Sequence, residues 1–278
     1  MKSKITKAIF PVAGMGTRFL PATKASPKEM LPIVDKPIIQ YAVEEAVAAG
    51  ITDLIFVTGR NKRSIEDHFD KAYELENELQ LKDKAHMLDM VRNIVPNHAN
   101  CIYIRQAEAL GLGHAISCAQ SLIGEEAFAV ILADELIDAS PSALKQMVEI
   151  YQELNSPILG VQEIDIKDVS SYGIIKLMGI IEKPTQENAP SNLAVVGRYI
   201  LPHTIFTILN DTKKGSGNEI QLSDAIDKLL LSQKIFAHKI KGLRYDCGSK
   251  LGYIKATIAY GLKHPEIGLA LKEHLEKL

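Results

Sequence analysis

The sequence predicts an α/β protein built on a doubly wound, mostly parallel, Rossmann-like sheet that is flanked by helices, with a smaller β-rich part and C-terminal helices in its second half. Two observations predict this class. Short apolar runs without polar alternation recur along the first half, which is typical of parallel strands buried on both faces. Segments with apolar residues at helical spacing separate these runs, so strands and helices alternate as they do in βαβ units.

The first half supplies the parallel part of the sheet. We predict strands over residues 8–12, 53–58, 101–105 and 128–132. We predict helices over residues 37–49, 113–123 and 141–154, and more than one solvated helix over the charged stretch 64–94. The first helix is expected to stop at Gly50, because a glycine in the left-handed conformation commonly closes a helix.

The second half has shorter elements. We predict strands around residues 158–161, 173–181 and 193–201, and helices near residues 219–231 and 251–263. No linker, low-complexity run or internal repeat separates the two halves. We therefore predict a single domain over residues 1–278, with a first part to about residue 155 and a second part from about residue 156.

A glycine turn follows the first predicted strand, in the stretch FPVAGMGTRF. The amide groups of residues 14–17 could line a concave anion site, and Arg18 and Lys28 could neutralise a polyphosphate. Neither the dinucleotide fingerprint nor the P-loop pattern fits, because Phe19 stands where the former needs a glycine and the latter lacks its Gly-Lys pair. On spacing alone, an ordinary strand-to-loop turn with solvated cations remains open.

Two carboxylates, Asp134 and Glu135, end the buried strand FAVILADE. Such a position suits a Mg²⁺ ligand, because magnesium prefers oxygen donors and commonly takes one or two carboxylates beside substrate phosphates. Strand-end acids are also common turn residues, so this feature alone leaves both interpretations open. A cation-rich phosphate turn in the same sheet favours the metal interpretation.

Three later stretches carry polar groups near predicted turns, two of them after a predicted strand. Gln106 precedes glycines that open a helix, an arrangement suited to the edge of a nucleotide base. Glu182 and Lys183 place an acceptor for hydroxyls beside a cation for phosphate, and Asp246 precedes a glycine and a new helix. Taken singly, each is also compatible with a capped turn or a surface ion pair.

The composition gives no general reason to expect nucleic acid or a membrane as a partner. The chain has 32 Lys and Arg against 34 Asp and Glu, and this net charge of −2 favours neither nucleic acid nor an anionic membrane. The longest apolar runs are about six residues, far below the roughly 18 to 20 that a membrane helix needs. Three dispersed cysteines without metal-ligand spacing suit a reduced, cytoplasmic protein.

Seven stretches, taken together, match one family. They are AGMGTRFLPATKASPKEMLPIVDKPIIQY, RQAEALGLGHA, FAVILADE, EKP, APSNLAVVGRYIL, NEIQLSDAI and YDCGSKLGY. In this order, over nearly the whole chain, the sequence closely resembles the bacterial UTP–glucose-1-phosphate uridylyltransferases. The glycine-rich signature alone would indicate only the broader sugar-phosphate nucleotidylyltransferases, whereas its combination with GLGHA and SNLAVVGRY is specific to the narrower family.

The resemblance implies UTP and glucose 1-phosphate as substrates, UDP-glucose and pyrophosphate as products, and Mg²⁺ as the cofactor. A thymidylyltransferase of the same superfamily is the nearest alternative, although its signature usually reads Lys-Gln where this chain has Lys28 and Glu29. The failed dinucleotide fingerprint disfavours an oxidoreductase. A non-catalytic nucleotide sensor would be expected to lack Lys28, Asp134 or Lys183, and all three are present.

The resemblance also implies a role for individual residues, position by position. The implied catalytic residues are Arg18, Lys28, Asp134 and Lys183. The implied nucleotide-binding residues are Ala13, Gly14, Gly16 and Thr17 at the phosphates and Gln106 and Gly111 at the uracil. The implied sugar-phosphate-binding residues are Gly173, Glu182 and Lys183, and the implied Mg²⁺ ligands are Asp134 and Asp246, with Glu135 as a neighbour of the ligand and not a ligand itself.

Two further expectations come from the resemblance. It implies a homo-oligomer, a dimer or a tetramer, with the C-terminal helices from Leu251 onward as candidate contacts, although their apolar pattern could equally pack within one subunit. The chain is shorter than is usual in the family near residues 139–141 and 176–178. If residues missing there help to cover the sugar, specificity or closure of the site could differ from the family.

Overall fold

A nine-stranded mixed sheet forms the centre of the protein in the computed structural model, which describes residues 4–176 and 179–278, and Ser216 by its backbone only. The strands in chain order are β1 (Lys7–Pro11), β2 (Pro32–Ile33), β3 (Lys36–Pro37), β4 (Asp53–Thr58), β5 (Asn100–Arg105), β6 (Phe128–Ile131), β7 (Glu135–Asp138), β8 (Ile158–Glu163), β9 (Gly173–Lys176), β10 (Gly179–Glu182), β11 (Leu193–Leu201), β12 (Phe236–Lys239) and β13 (Leu243–Asp246). Of these, β2 pairs with β3 and β7 with β13 in two small separate ladders.

The helices lie mainly between strands. In chain order they are α1 (Ile38–Ala48), α2 (Arg63–Phe69), α3 (Tyr73–Leu81), α4 (Ala85–Arg92), α5 (Leu112–Ser117), α6 (Gln120–Ile123), α7 (Ala143–Leu154), α8 (Ile205–Asn210), α9 (Leu222–Leu229), α10 (Lys250–Lys263) and α11 (Gly268–Leu275). In the part of the chain that the structure describes, no helix is both long and apolar enough to cross a membrane.

The predicted fold class is confirmed. Strands β5, β4, β1 and β6 lie side by side and are all parallel. Strand β11 continues the sheet in the antiparallel direction: one of its edges pairs with β8, and the other is shared by β6 and β9. Strands from both halves of the chain therefore belong to one continuous sheet.

The apolar runs of β1, β4 and β6 are buried on both faces, as their lack of alternation predicts, whereas the edge strand β5 is only partly buried. Ile9 and Phe10 are adjacent and both fully buried, yet they belong to opposite cores. The Phe10 side of the sheet packs against α1 and α7, and the Ile9 side packs against α5, α6, α8 and α9. Burial of two apolar layers on one sheet is the main stabilising contribution that this arrangement makes.

Most predicted elements agree with the observed ones within a few residues. Helix α1, the helix of the first βαβ unit, ends at Ala48, and Gly50 has the expected positive φ of 93°. The predicted helix over 113–123 is instead two short helices, α5 and α6. The predicted strand over 173–181 is the hairpin of β9 and β10, and the turn residues 177–178 lie outside the described part of the chain.

Candidate active site

The loops that follow the parallel strands meet at one edge of the sheet, because the carboxyl ends of parallel strands lie on the same side. The loops after β1, β4 and β5 line a first cavity of about 460 Å³. A second cavity, of about 540 Å³, lies between the end of β6 and the β9–β10 hairpin. Thr17 lines the first cavity and its neighbour Arg18 lines the second, so the glycine turn separates and borders both.

The glycine turn has the geometry of an anion-binding loop. Gly16 is left-handed, with φ 66° and ψ 28°, and a Cβ there would lie 3.2 Å from the Cβ of Lys28. Thr23 fixes the turn by donating a hydrogen bond from Oγ1 to the carbonyl of Gly16 at 2.7 Å. Apart from Gly14 itself and its two chain neighbours, no heavy atom of the described residues lies within 4 Å of a Cβ built on Gly14, so a ligand can approach the backbone at this point.

The first cavity has an oriented amide on its wall. Gln106 is 7% exposed, and its Nε2 donates to the carbonyl of Gly111 at 3.2 Å and lies 2.9 Å from Nδ1 of His114. Ala13, Gly14, Thr17 and Gln106 all line this cavity. A held amide of this kind can read the polar edge of a base.

Gly111 has a different setting from the other nucleotide-binding candidates. Its φ is 103°, and a Cβ there would lie 2.7 Å from the Cβ of Glu219 and 2.9 Å from the carbonyl oxygen of Ile220. It lines neither cavity among the described residues. The packing of residues 219–220 against the start of α5 is thus sufficient to require glycine at this position.

Lys28 and Asp134 form an ion pair between the two cavities, with 2.6 Å between Nζ and Oδ2. About a quarter of each side chain is exposed. Loss of water by itself raises the pKa of Asp134, but the attraction of Lys28, with a smaller contribution from Arg18, holds it below its usual value. The same pair raises the pKa of Lys28 despite the opposing effect of burial, so both groups are charged at neutral pH.

A second carboxylate, Asp246, faces Asp134 across an open space. The amide of Gly248 donates to its Oδ1 at 2.9 Å, and the hydroxyl of Tyr172 donates to its Oδ2 at 3.1 Å. A Cβ built on Gly248 would lie 3.0 Å from Oδ2 of Asp134 and 3.0 Å from Oδ1 of Asp246. Only glycine leaves this space free between the two acids.

The two acids fit a magnesium site. They present carboxylate oxygens to one space that opens on the second cavity, which is the donor set that Mg²⁺ takes when substrate phosphates complete its coordination. Across residues 4–176 and 179–278, no three or more His, Cys, Asp or Glu side chains cluster as a complete metal site. The protein alone would therefore hold this ion weakly, and the phosphates of a bound nucleotide would supply the remaining ligands.

Glu135 is held away from this space. Arg244 donates to its Oε1 from Nη2 at 3.0 Å and also bonds its Oε2, and the Arg244 guanidinium stacks on the Tyr172 ring, 4.5 Å from its centroid. Burial raises the pKa of Glu135 to about 7, and Arg244 opposes that rise. Arg244 thus joins Glu135 to Tyr172, and Tyr172 in turn bonds Asp246. This arrangement is consistent with Glu135 as a neighbour of the metal ligand.

The sugar-phosphate candidates lie together on the wall of the second cavity. Gly173 pairs with Glu182 in the β9–β10 ladder, and a Cβ on Gly173 would lie 3.3 Å from Oε2 of Glu182. Lys183 has a φ of 45°, its amide donates to the carbonyl of Tyr172 at 2.9 Å, and its Nζ lies 3.2 Å from Oε1 of Glu182. These three residues share the cavity with Arg18, Asp134 and Asp246.

Arg198, which is not among the residues predicted from the sequence, holds the end of β6 in place. It is 1% exposed and makes a two-pronged ion pair with Glu45 of α1, at 2.9 and 2.8 Å. It also donates to the carbonyls of Leu132 and Glu135, at 3.0 and 2.7 Å. An arginine in the otherwise apolar strand LAVVGRYIL was the signal that could have identified it.

Replacing Arg198 with methionine is expected to destabilise the protein by about 3–5 kcal/mol, because Glu45 is left buried without its partner. Urea denaturation measures the change. Exchanging the exposed Lys145 for methionine is the matched control, expected to stay within about 0.5 kcal/mol. A loss below about 1 kcal/mol for Arg198→Met would show that the Arg198–Glu45 pair does not hold the end of β6 in place.

Comparison with known proteins identifies the family of this chain. The family model for nucleotidyl transferases matches residues 7–261. The chain is 50% identical over 285 residues to a UTP–glucose-1-phosphate uridylyltransferase of Staphylococcus epidermidis, covering 99% of each chain. A UTP-bound UGPase from Acinetobacter baumannii is 44% identical with a TM-score of 0.91, covering 99% of each chain. A UDP-glucose pyrophosphorylase in complex with UDP-glucose is 50% identical with a TM-score of 0.86, covering 94% of this chain and 100% of the other.

The fold and the site thus define an α/β enzyme of nucleotidyl transfer. The chain belongs to the nucleotidyl transferase family and, within it, to the family of the UTP–glucose-1-phosphate uridylyltransferases.

Proposed function

We propose that this enzyme transfers a uridylyl group from UTP to glucose 1-phosphate and releases UDP-glucose and pyrophosphate. The observation that carries the proposal is the position of the glycine turn between two cavities. One cavity has the oriented amide of Gln106, and the other has Glu182 and Lys183. A nucleotide in the first and a sugar phosphate in the second would meet at Arg18, Lys28 and Asp134.

The reaction we propose is a direct in-line displacement. An oxygen of the glucose 1-phosphate attacks the α-phosphorus of UTP, and the bond from that phosphorus to the oxygen bridging toward the β-phosphorus breaks, so that pyrophosphate leaves. Enzymes gain rate in such reactions mainly by positioning the reactants and stabilising charge. The turn of residues 14–17 would donate its amides to the UTP phosphates, and Arg18 would offer a planar pair of donors.

Lys28 and Asp134 would exchange partners when substrates bind. Without a ligand they neutralise each other at 2.6 Å. In the proposed complex Lys28 would turn to the α-phosphoryl oxygens, while Asp134 and Asp246 would hold Mg²⁺. When bound there, Mg²⁺ supplies positive charge that offsets the charge of the phosphates.

The remaining assignments form part of the same proposal. Gln106 would contact the uracil, with Gly111 allowing the segment near it to pack closely. Glu182 would accept from sugar hydroxyls, with Gly173 giving room beside it, and Lys183 would bind the sugar phosphate. Residues up to about 155 would serve the nucleotide and later residues mainly the sugar phosphate, within one domain.

We also propose a homo-oligomer that functions in the cytoplasm. The C-terminal helices expose several large apolar side chains, including Leu251 at 66%, Ile254 at 51% and Leu269 at 82%. Exposed apolar patches of this kind commonly mark subunit contacts. Sedimentation measures the subunit number directly.

Nucleotide choice provides the test of this function. With glucose 1-phosphate and Mg²⁺, we expect rapid pyrophosphate release with UTP, slower release with dTTP, ATP, CTP or GTP, and loss of release when EDTA removes the metal. Faster release with dTTP would replace the uridylyl assignment with a thymidylyl one. Undiminished release in EDTA would contradict the metal role.

Replacing Lys183 with alanine is expected to lower kcat/KM for glucose 1-phosphate by roughly a hundredfold, because a charged partner of the phosphate is lost. UTP binding should stay near the wild-type value, as Lys183 lines only the second cavity. Steady-state kinetics with each substrate varied measures both effects. Lys167→Ala, an exposed lysine of the same region, is the control. A near-normal kcat/KM in folded Lys183→Ala would contradict the role.

A further inference from the structure

Helix α10 begins close to the proposed metal ligand Asp246 and packs on its backbone. Ser249 caps the helix: its hydroxyl accepts from the amide of Gly252 at 3.1 Å and donates to the backbone carbonyl of Asp246 at 3.0 Å. A Cβ built on Gly252 would overlap that same carbonyl, so the first helical turn lies directly against it. The position of α10 and the position of Asp246 are therefore fixed together.

Tyr253, in the first turn of α10, contacts two other segments of the site. Its hydroxyl donates to the backbone carbonyl of Pro32 at 2.7 Å. Its ring meets the ring of Phe19 edge-on, with 5.6 Å between the two centroids. Phe19 directly follows Arg18, and Pro32 lies just beyond the short turn Lys28–Met30. One side chain thus contacts both segments that carry the proposed catalytic cations.

These two segments have little regular structure of their own. Between β1 and β2 the chain forms three short 3-10 turns, each of three residues. Strand β2 is only two residues long and pairs with β3 in a ladder separate from the central sheet. Hydrogen bonds within the turns shape each turn but do not fix its distance from β13, the strand that ends in Asp246. Contacts from other parts of the chain must fix that distance.

The carbonyl of Pro32 needs a donor from outside its own ladder. Pro32 lies opposite Pro37 in the pairing of β2 with β3. Pro37 has no amide hydrogen, so it cannot donate to Pro32. The Tyr253 hydroxyl is the donor instead. Burial raises the pKa of Tyr253 above its usual value, so the hydroxyl keeps its proton at neutral pH.

Tyr253 lines neither cavity of the site, so its effect on the reaction would be exerted through other residues. The distances in the site are short enough for such an effect. A Cβ built on Gly248 would lie 3.6 Å from Nη1 of Arg18 and 3.0 Å from Oδ1 of Asp246. A shift of the Phe19 segment would therefore move the Arg18 guanidinium relative to the proposed metal ligand.

We propose that Tyr253 is a positioning residue, which fixes the segments of the two proposed catalytic cations at a set distance from Asp246. Arg18, Lys28 and the metal ligand then act on the same phosphates. Tyr253 itself touches no reacting atom. The kinetic consequences of this inference rest on the proposed function, whereas its geometric part stands independently of the reaction.

The kinetic test compares Tyr253→Phe, which removes only the hydroxyl, with Tyr253→Leu, which also removes the ring contact with Phe19. We expect kcat with UTP and glucose 1-phosphate to fall about fivefold in the first and about thirtyfold in the second, since a misplacement of about 1 Å can cost a hundredfold. KM for glucose 1-phosphate should stay near the wild-type value. Initial rates are measured well below the Tm of each variant, so that loss of folded protein does not contribute.

Tyr41→Phe is the matched control. The Tyr41 hydroxyl donates to the carbonyl of Ile33, the residue next to Pro32, at 3.2 Å, and Tyr41 lines neither cavity of the site. Tyr41 belongs to α1, so its bond does not join this segment to Asp246. We expect Tyr41→Phe to lose as little Tm as Tyr253→Phe and to keep its kcat. Wild-type kcat in both Tyr253 variants, or equal losses of kcat in Tyr41→Phe and Tyr253→Phe, would overturn the proposal.

A structural measurement keeps the test independent of activity. In a crystal structure of Tyr253→Leu, we expect the backbone at Phe19 and Pro32 to lie farther from Asp246 than in the wild-type protein. If that variant does not fold, Tyr253→Phe allows the same comparison at Pro32. Unchanged distances would overturn the positioning role even if the enzyme proved inactive with UTP. Inactivity of the wild-type protein with every nucleotide would instead refute the proposed function alone.

Discussion

Replacing Lys28 with alanine is expected to lower kcat by roughly a hundred- to a thousandfold and to leave the fold intact. Lys28 is the cation held between the two cavities, 2.6 Å from Asp134, and the proposed reaction needs it where charge develops on the transferring phosphoryl group. The side chain is one quarter exposed, so water can enter the space that its removal leaves. Steady-state turnover and a thermal melt measure the two parts of this expectation.

Lys82→Ala serves as the control for this variant. Lys82 is an exposed lysine paired with Glu78 on the outer face of the helical region, so its loss should change neither turnover nor melting. A folded Lys28→Ala protein with near-normal kcat would rule out the role of Lys28. Equal losses in both variants would point to a general effect of lowered charge.

Replacing Asp134 with asparagine is expected to reduce turnover by a similar factor and to raise the Mg²⁺ concentration needed for half-maximal rate. Asp134 and Asp246 share the space above Gly248, so the loss of one carboxylate weakens the metal site without changing its shape. Mg²⁺ titration of the initial rate measures this shift. Asp246→Asn should shift the requirement in the same direction.

The metal titration also separates two roles of Asp134. If Asp134 served only to hold Lys28, turnover would fall in Asp134→Asn while the Mg²⁺ requirement stayed at the wild-type value. Asp89→Asn, at an exposed position of α4, is the control and should change neither quantity. An unchanged Mg²⁺ requirement in both Asp134→Asn and Asp246→Asn would contradict the assigned metal site.

The parallel half of the fold could be predicted from the sequence because its signals are local. Strands β1, β4, β5 and β6 are continuous apolar runs, and Gly50 marks a helix end that its positive φ explains. The elements that escaped prediction depend on distant partners. Strand β7 is four residues long and pairs with β13, in which Leu243 lies opposite Asp138, more than a hundred positions earlier in the chain.

In the candidate site, too, local features could be predicted from the sequence and long-range contacts could not. Asp134 and Glu182 follow strands that the apolar pattern predicts, and Asp246 precedes a predicted helix, so the local sequence already marked all three carboxylates as candidates. The contacts that hold the site in place cannot be predicted from the local sequence, because they join distant residues. Tyr172 bonds Asp246 over 74 positions, and Arg198 bonds Glu45 over 153. Gly248 is the clearest case: its importance comes from the two carboxylates that its missing Cβ leaves room for.

We propose that the two adjacent cavities bring UTP and glucose 1-phosphate together for direct transfer. The most direct test follows the ³¹P NMR spectrum of both substrates with the enzyme and Mg²⁺. We expect UDP-glucose and pyrophosphate to appear in equal amounts as the substrates disappear. Pyrophosphate accompanied by UMP, or no change in either substrate, would contradict the account.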